Sequence, residues 1–318
     1  MKIIVTGAAG FVGSHLCEKL LADGDTVIGI DNFDNYYSQT QKRSNLSECL
    51  KSSNFTLYEE SVTEREKMFE IIRTHRPDAI AHLGGCANVR YSIGKAHLYG
   101  QINVLGSINL LDAAVENNVN NFVYASTSSI YGNTTILPFV ETDPCNLPLA
   151  PYSASRKAIE AFGYSYHNLY NLNFTVLRFF SVYGPRGRPD MMPYIATDKI
   201  YNEQTLTLFD AGQMKRDWTY VDDVVDGVIA AIRTPLKYEI INLGRGEPVL
   251  MADFVHILED LIGKKAILDC PKAPVGEIKI NYANVDKAKK LLGYNPKTDV
   301  RTGLEQMWEW FKRAHQIS

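Results

Sequence analysis

The chain of 318 residues reads as an α/β protein, a doubly wound parallel sheet followed by a smaller mixed α/β lobe. Three observations predict this. Over the first 180 residues, short apolar runs alternate with segments of helical periodicity, the pattern of a parallel sheet covered by helices on both faces. The first run stops at Gly7, and Gly10 and Gly13 follow at three-residue spacing before a helical pattern begins. Finally, most chemistry-bearing residues fall just past the ends of predicted strands, where such sheets bind ligands.

The first unit is strand 2–6, a glycine turn, and a helix over 12–23. Glycines at 7, 10 and 13 let the chain turn sharply and bring backbone close to a ligand, and the free N–H groups of the following helix suit a pyrophosphate. The second strand, 26–30, ends at Asp31. A carboxylate at that distance from the glycines grips a ribose diol. It also repels an additional ribose phosphate, so the expected cofactor is NAD rather than NADP. Asp31 alone would equally cap a turn. The Asn/Asp-rich stretch from Asp31 to Tyr37, including Asn32, reads as a loop on the adenosine side.

A third strand at 55–59, a helix at 63–75 and a fourth strand at 79–83 follow, and Gly84 and Gly85 allow a close backbone approach or an ordinary turn. A single helix is predicted over 98–117, with Asn103 buried among apolar neighbours and tying neighbouring strands together rather than touching substrate, since a buried amide needs partners. The fifth strand, 121–126, runs into Ser126-Thr127-Ser128-Ser129, hydroxyls that could meet substrate oxygens or simply cap a loop.

A Pro-rich loop leads to a helix over 152–170. Its Tyr152 and Arg156 lie four residues apart, hence on one face. A phenol is a poor base at neutral pH, and a fixed cation beside it, with an oxidised nicotinamide ring, favours the phenolate. The same spacing also fits a surface pair. After a sixth strand at 174–179, Ser181, Arg186 and Arg188 sit in a Gly/Pro loop suited to an anionic ligand. Arg216 is a candidate for a diphosphate, and Asp222 and Asp223 are expected to cap a helix over 224–233. A strand at 239–243 and helices at 254–262, 286–292 and 303–314 complete the chain.

Composition narrows the function classes. The 33 basic and 36 acidic residues are interspersed and the net charge is −3, with no basic block for nucleic acid. Five scattered cysteines lack metal-ligand spacing and suit a reducing cytoplasm, no metal being expected. The first residues do not read as a signal peptide, and no apolar run is long enough to span a membrane.

Taken together, the segments Thr6-Gly7-Ala8-Ala9-Gly10-Phe11-Val12-Gly13, the Ser/Thr run before Tyr131-Gly132, Tyr152 at its helix start, Arg178-Phe179-Phe180-Ser181-Val182-Tyr183-Gly184-Pro185 and Arg216-Asp217-Trp218-Thr219-Tyr220-Val221-Asp222-Asp223 resemble the extended short-chain dehydrogenase/reductases that epimerise nucleotide sugars. The resemblance spans nearly the whole chain. It implies a Rossmann domain over 1–180 and a sugar-nucleotide lobe over 181–318, with some chain interchange between them. It implies NAD held by Gly7, Gly10, Phe11, Val12, Gly13, Asp31, Asn32, Ser61, Val62, Leu83, Tyr152 and Arg156. Thr127 matches the hydroxyl that binds the reacting sugar oxygen and Tyr152 the base. Ser128, Ser129, Ser181, Arg186, Arg188, Arg216 and Glu277 would meet the substrate. A homodimer through helices 98–117 and 152–170 is implied as well.

Two positions depart from the family pattern: Arg156 stands where lysine is usual, and Ser61 where an aspartate is common near the adenine. Within the family, dehydratases and decarboxylases place an acidic residue after the catalytic hydroxyl, where this chain has Ser128 and Ser129. That leaves 4-epimerisation. The 178–191 stretch and the 31–46 loop look like the UDP-glucuronate 4-epimerase branch. A 4-epimerase of a neutral UDP-hexose or of UDP-GlcNAc, and a non-catalytic NAD-binding homologue marked by Arg156, stand as the alternatives.

Overall fold

The computed structural model describes residues 1–273 and 278–317; Glu277 lies outside the described residues. In chain order the strands are β1 (Lys2–Thr6), β2 (Thr26–Ile30), β3 (Phe55–Tyr58), β4 (Ala79–His82), β5 (Asn121–Thr127), β6 (Asn173–Phe179), β7 (Ser181–Tyr183), β8 (Thr205–Thr207), β9 (Lys215–Tyr220), β10 (Tyr238–Leu243), β11 (Pro248–Leu250), β12 (Ile267–Asp269) and β13 (Ile280–Asn281).

Seven strands form one parallel sheet in the order β10-β6-β5-β4-β1-β2-β3. Strand order reverses between β1 and β4, and Thr6 is in register with both Ile30 and His82, so the carboxyl ends of β1, β2 and β4 lie level. A crevice opens there, at the switch point where such sheets take ligands. Both faces of the sheet are sealed, as a parallel sheet requires. Along β1, Ile3 and Val5 join the apolar cluster that continues into the second lobe. Ile4 joins the cluster on the other face, with Leu110, Phe122 and Phe174.

The chain does not divide at a single point. After β6 it enters the second lobe, where β9 pairs with β7, β11 and β13, and where β8 and β12 pair apart. It then returns through the Val221–Arg233 helix to add β10 beside β6, in register from Tyr238↔Phe174 to Leu243↔Phe179. Phe254, Leu304 and Met307 of the second lobe belong to the same cluster as Ile3 and Val5.

Two local expectations need correction. The helix expected over 98–117 is a short helix Ala96–Tyr99, a π-helical turn Gly100–Leu105 and a helix Gly106–Glu116. The wide turn carries Asn103, whose amide leaves the helix to bond the backbone N–H and C=O of Cys86 at 2.7 and 3.0 Å, and Ser155 Oγ at 3.0 Å. The Val221–Arg233 helix begins three residues before the expected start, and Asp223 does not cap it. Its carboxylate instead accepts the N–H groups of Lys297 and Thr298, both at 3.0 Å.

Candidate active site

The crevice at the sheet's switch point is a cavity of about 530 Å³. Its floor is the glycine turn. Gly7 has φ +69°, and a Cβ there would come within 2.9 Å of the Gly84 backbone, so no other residue lets β1 and β4 end this close together. A Cβ at Gly13 would lie 2.0 Å from the Gly7 carbonyl oxygen. The Phe11–Ala22 helix therefore starts directly on the turn, with no side chain capping its first amides. Those amides and the helix dipole face the crevice as an anion cradle.

Asp31, at the end of β2, lines the cavity and is 9% exposed. Its carboxylate accepts Ala9 N–H at 3.0 Å and Phe33 N–H at 2.9 Å, which fixes it beside the glycine turn. Burial pushes the carboxyl above its ordinary range, against the pull of these N–H groups and of Lys42. Lys42 is buried and bonded to Asp34, and its ammonium lies 4.7 Å from the centre of the Tyr37 ring. The Tyr37 hydroxyl, on the cavity wall, has no protein partner although it is buried. An orphaned hydroxyl beside a buried carboxylate is what a polyhydroxylated ligand would complete.

All the residues expected to hold the cofactor line this one cavity: the glycine turn with Phe11 and Val12, then Asp31, Asn32, Ser61, Val62 and Leu83, then Tyr152 and Arg156. Ser61 bonds Thr63 through its hydroxyl at 2.8 Å, closing the turn after β3.

Tyr152 and Arg156 come from the helix Pro151–Tyr170. Proline at its first position, and Ser153 Oγ bonding the Ala150 backbone, set its start. The Arg156 guanidinium carbon is 5.8 Å from the Tyr152 ring centre and 5.6 Å from that of Tyr124. Arg156 is 4% exposed; Nη1 donates to the Ala125 carbonyl at 3.2 Å, and Nε has no protein partner. A buried cation with an unused donor on the cavity wall calls for a ligand oxygen. The Tyr99 ring meets Tyr152 edge-on at 6.2 Å, and its hydroxyl bonds the carbonyls of Ala87 and Asn88. The glycine cradle, the buried Asp31 and the orphaned Tyr37 and Arg156 groups together fit a dinucleotide.

The expected substrate residues divide. Arg188 lines the cavity, with Nε and Nη2 on Asp190 at 2.9 and 3.0 Å. Arg186, expected to face an anionic ligand, instead turns to the first helix. Its guanidinium donates to Glu18 and to the Asn45 carbonyl, so it bolts the loop to the Phe11–Ala22 helix and the segment at Asn45. Thr127 ends β5 and Ser128 and Ser129 follow it, all three outside the cavity lining. Thr127 Oγ1 accepts Ser129 N–H at 3.1 Å, capping the tight turn Ser128–Tyr131. Ser181 opens β7 opposite Trp218. Arg216, on β9, donates to the Lys215 carbonyl at 3.0 Å.

Tyr36, Asn88 and Asp190 escaped sequence reading. Asp190 Oδ2 accepts from the Tyr36 hydroxyl at 2.8 Å and from Asn88 Nδ2 at 2.7 Å. The three residues come from loops after β2, β4 and β7, so no local pattern joins them. The one signal was the Tyr-Tyr pair in a loop otherwise made of Asn and Asp.

Among the described residues no helix is long and apolar enough to cross a membrane, and no cluster of His, Cys, Asp or Glu could hold a metal ion. The pattern of the NAD dependent epimerase/dehydratase family matches residues 3–244. A UDP-glucuronate 4-epimerase of Thermodesulfobacterium geofontis is 40% identical over 315 residues, covering 99% of this chain and 97% of that one. UDP-glucuronate 4-epimerase 4 of Arabidopsis thaliana is 38% identical over 333 residues, 98% of this chain and 75% of that one. Among solved structures, the UDP-glucuronic acid 4-epimerase of Bacillus cereus, in complex with UDP-glucuronic acid and NAD, superposes with a TM-score of 0.91. It is 34% identical, and the match covers 99% of this chain and 100% of that one.

Proposed function

The chain belongs to the NAD dependent epimerase/dehydratase family, and on that premise we propose that it converts UDP-glucuronate to UDP-galacturonate by inverting C4 through a transient 4-keto sugar. The observation that carries this reading is one cavity in which the phenol of Tyr152 and the cations Arg156 and Arg188 meet the glycine cradle. A base supported by a fixed cation suits oxidation of a secondary alcohol. A second cation suits a sugar carboxylate.

NAD, bound by the glycine cradle and Asp31, supplies the hydride acceptor and returns the hydride within the same turnover. Tyr152 takes the proton from the C4 hydroxyl and gives it back from its phenol at the end of the cycle. Arg156 stabilises the phenolate in between. Thr127 hydrogen-bonds the reacting oxygen. Ser128, Ser129, Ser181 and Arg188 hold the carboxylate. Held out of alignment with the C4 ketone, the carboxylate of a β-keto acid does not leave as carbon dioxide. Arg216 serves the diphosphate, and Glu277 the nucleotide ribose.

A second reading, a 4-epimerase of a neutral UDP-hexose, draws on Asp190, whose carboxylate already neutralises Arg188. Incubation with UDP-glucuronate, followed by proton NMR, decides. UDP-galacturonate supports the proposal. A UDP-pentose means decarboxylation and rejects it. No conversion of UDP-glucuronate, with turnover of UDP-glucose or UDP-GlcNAc, selects the second reading.

The enzyme works as a homodimer in the cytoplasm. Leu105 of the π-helical turn and Phe162 and Leu169 of the Pro151–Tyr170 helix are exposed apolar side chains on the two helical segments expected to pair. All five cysteines are free thiols, as a reducing compartment keeps them.

A further inference from the structure

Arg188 lines the cavity from the loop after β7, and one edge of its guanidinium is already taken. Nε and Nη2 lie on the two oxygens of Asp190 at 2.9 and 3.0 Å, a forked, bidentate pair. Asp190 is itself fixed from two other directions. Tyr36, from the loop after β2, donates its hydroxyl at 2.8 Å, and Asn88, from the loop after β4, donates Nδ2 at 2.7 Å. Asn88 Nδ2 also reaches the Tyr36 hydroxyl at 2.9 Å. Four donors thus converge on one carboxylate. Burial raises its pKa, but Arg188, Tyr36 and Asn88 together outweigh burial and hold the carboxyl below its ordinary range. It is therefore ionised at neutral pH.

A long arginine side chain samples many rotamers unless something holds it, and fixing it costs side-chain entropy. Here that cost is met on folding, by a carboxylate anchored to two loops of the nucleotide domain. The pairing also removes a net charge. What Arg188 offers a ligand is a directed N–H edge rather than a loose full cation, and direction discriminates a planar carboxylate from a hydroxymethyl group better than charge alone. Tyr152 lines the same cavity as Arg188, so the fixed edge and the proposed base share one site.

We propose that Asp190 is the positioning residue that makes Arg188 a selective reader of the sugar carboxylate, with Tyr36 and Asn88 fixing Asp190 in turn. This rests on the reading of the protein as a UDP-glucuronate 4-epimerase. Asp190 does not touch the sugar; it acts through Arg188.

The test uses the NAD-loaded protein as D190N, R188K and the double variant. Steady-state kinetics on UDP-glucuronate are measured with calorimetric affinities for UDP, which lacks the sugar. With Asp190 replaced, KM for UDP-glucuronate rises about tenfold, the loss of one charge-assisted hydrogen bond. Turnover at saturation falls less, UDP affinity hardly moves, and D190N adds little once Arg188 is lysine. Should D190N fail to fold, Y36F carries the test, with a smaller rise in KM of the same selectivity. An unchanged KM, equal losses for UDP-glucuronate and UDP, or additive losses in the double variant overturns the proposal. The two readings fail differently. If the native protein does not convert UDP-glucuronate, the functional reading falls and this one with it. If it does and D190N behaves like it, only this one falls.

Discussion

Gly85 and Arg156 share one small space: a Cβ at Gly85 would lie 2.8 Å from Arg156 Nη2 and 2.6 Å from Asn103 Oδ1. The backbone at Gly85 has φ +133°, a conformation that side chains other than glycine's rarely adopt. The wall of the cavity is thus shaped around a guanidinium. Arg156→Lys should lower turnover about tenfold, because a charged donor loses the Ala125 carbonyl and leaves that acceptor buried, and ~1.4 kcal/mol is a factor of ten. Turnover and bound NAD per chain, measured together, check it. A rise in turnover would show the arginine to be an impediment rather than a fitted replacement for lysine.

Tyr152→Phe removes the only atom the proposed proton transfer uses and leaves the ring packed edge-on against Tyr99. Turnover should fall by roughly 10²–10⁴, the usual worth of a positioned acid–base group. Affinity for the sugar nucleotide should change by no more than a few-fold. Single-turnover kinetics with calorimetry separate the two quantities, and a rate close to that of the native protein would remove Tyr152 from its role.

What could be read ahead of the structure depended on how far apart in the chain the deciding partners are. The glycines at 7, 10 and 13, Asp31 and the Tyr152–Arg156 pair are local patterns, and all line the cavity. Arg186 and Arg188 look alike in one Gly/Pro loop, yet one turns to Glu18, 168 residues back, and the other to Asp190. That choice is set by packing between lobes. The hydroxyl run at the end of β5 was read both ways, and Thr127 does cap its turn. Strand β9 was missed because it opens with three charged residues, Lys215, Arg216 and Asp217. Its neighbours β7, β11 and β13 make it a strand.

Glu160 and Arg178 form an ion pair with side chains 1% and 0% exposed, joined by hydrogen bonds of 3.1 and 2.8 Å. Ser126, on the cavity wall, donates to the same carboxylate at 2.7 Å. The pair ties the helix that carries Tyr152 to β5 and β6. Glu160→Gln leaves a buried guanidinium without its counter-charge, which costs about 3–5 kcal/mol. Urea unfolding of the NAD-saturated protein should show that loss as a lower midpoint. A change under 1 kcal/mol would mean that water or a rotated side chain repays the charge.

His82 lies under the cofactor turn, and its tautomer follows from its neighbours. Ser107 Oγ donates to the Asn103 carbonyl, so at 2.8 Å it accepts from His82 Nε2–H. His82 Nδ1 then accepts from Thr6 Oγ1–H at 2.6 Å, leaving the Thr6 oxygen to accept Gly84 N–H at 3.0 Å. Burial pushes this histidine down to about 3, and the Arg156 charge adds to the effect. An unfolded histidine titrates near 6.5. Between about pH 6.5 and 3 the unfolded chain therefore binds a proton that the native protein refuses, and stability falls as pH drops through that window, by at most ~1.4 kcal/mol per pH unit. Forced protonation would set Nδ1–H against the Thr6 hydroxyl proton and pull on the Gly84 amide that shapes the cradle. Acid should thus release NAD before the protein unfolds. His82→Asn should flatten the slope between about pH 6.5 and 4 while lowering stability at neutral pH, because one of its two hydroxyl partners goes unmet. Urea midpoints across that range, with NAD release followed by fluorescence, check both parts. An unchanged slope would assign the acid sensitivity to carboxylates elsewhere.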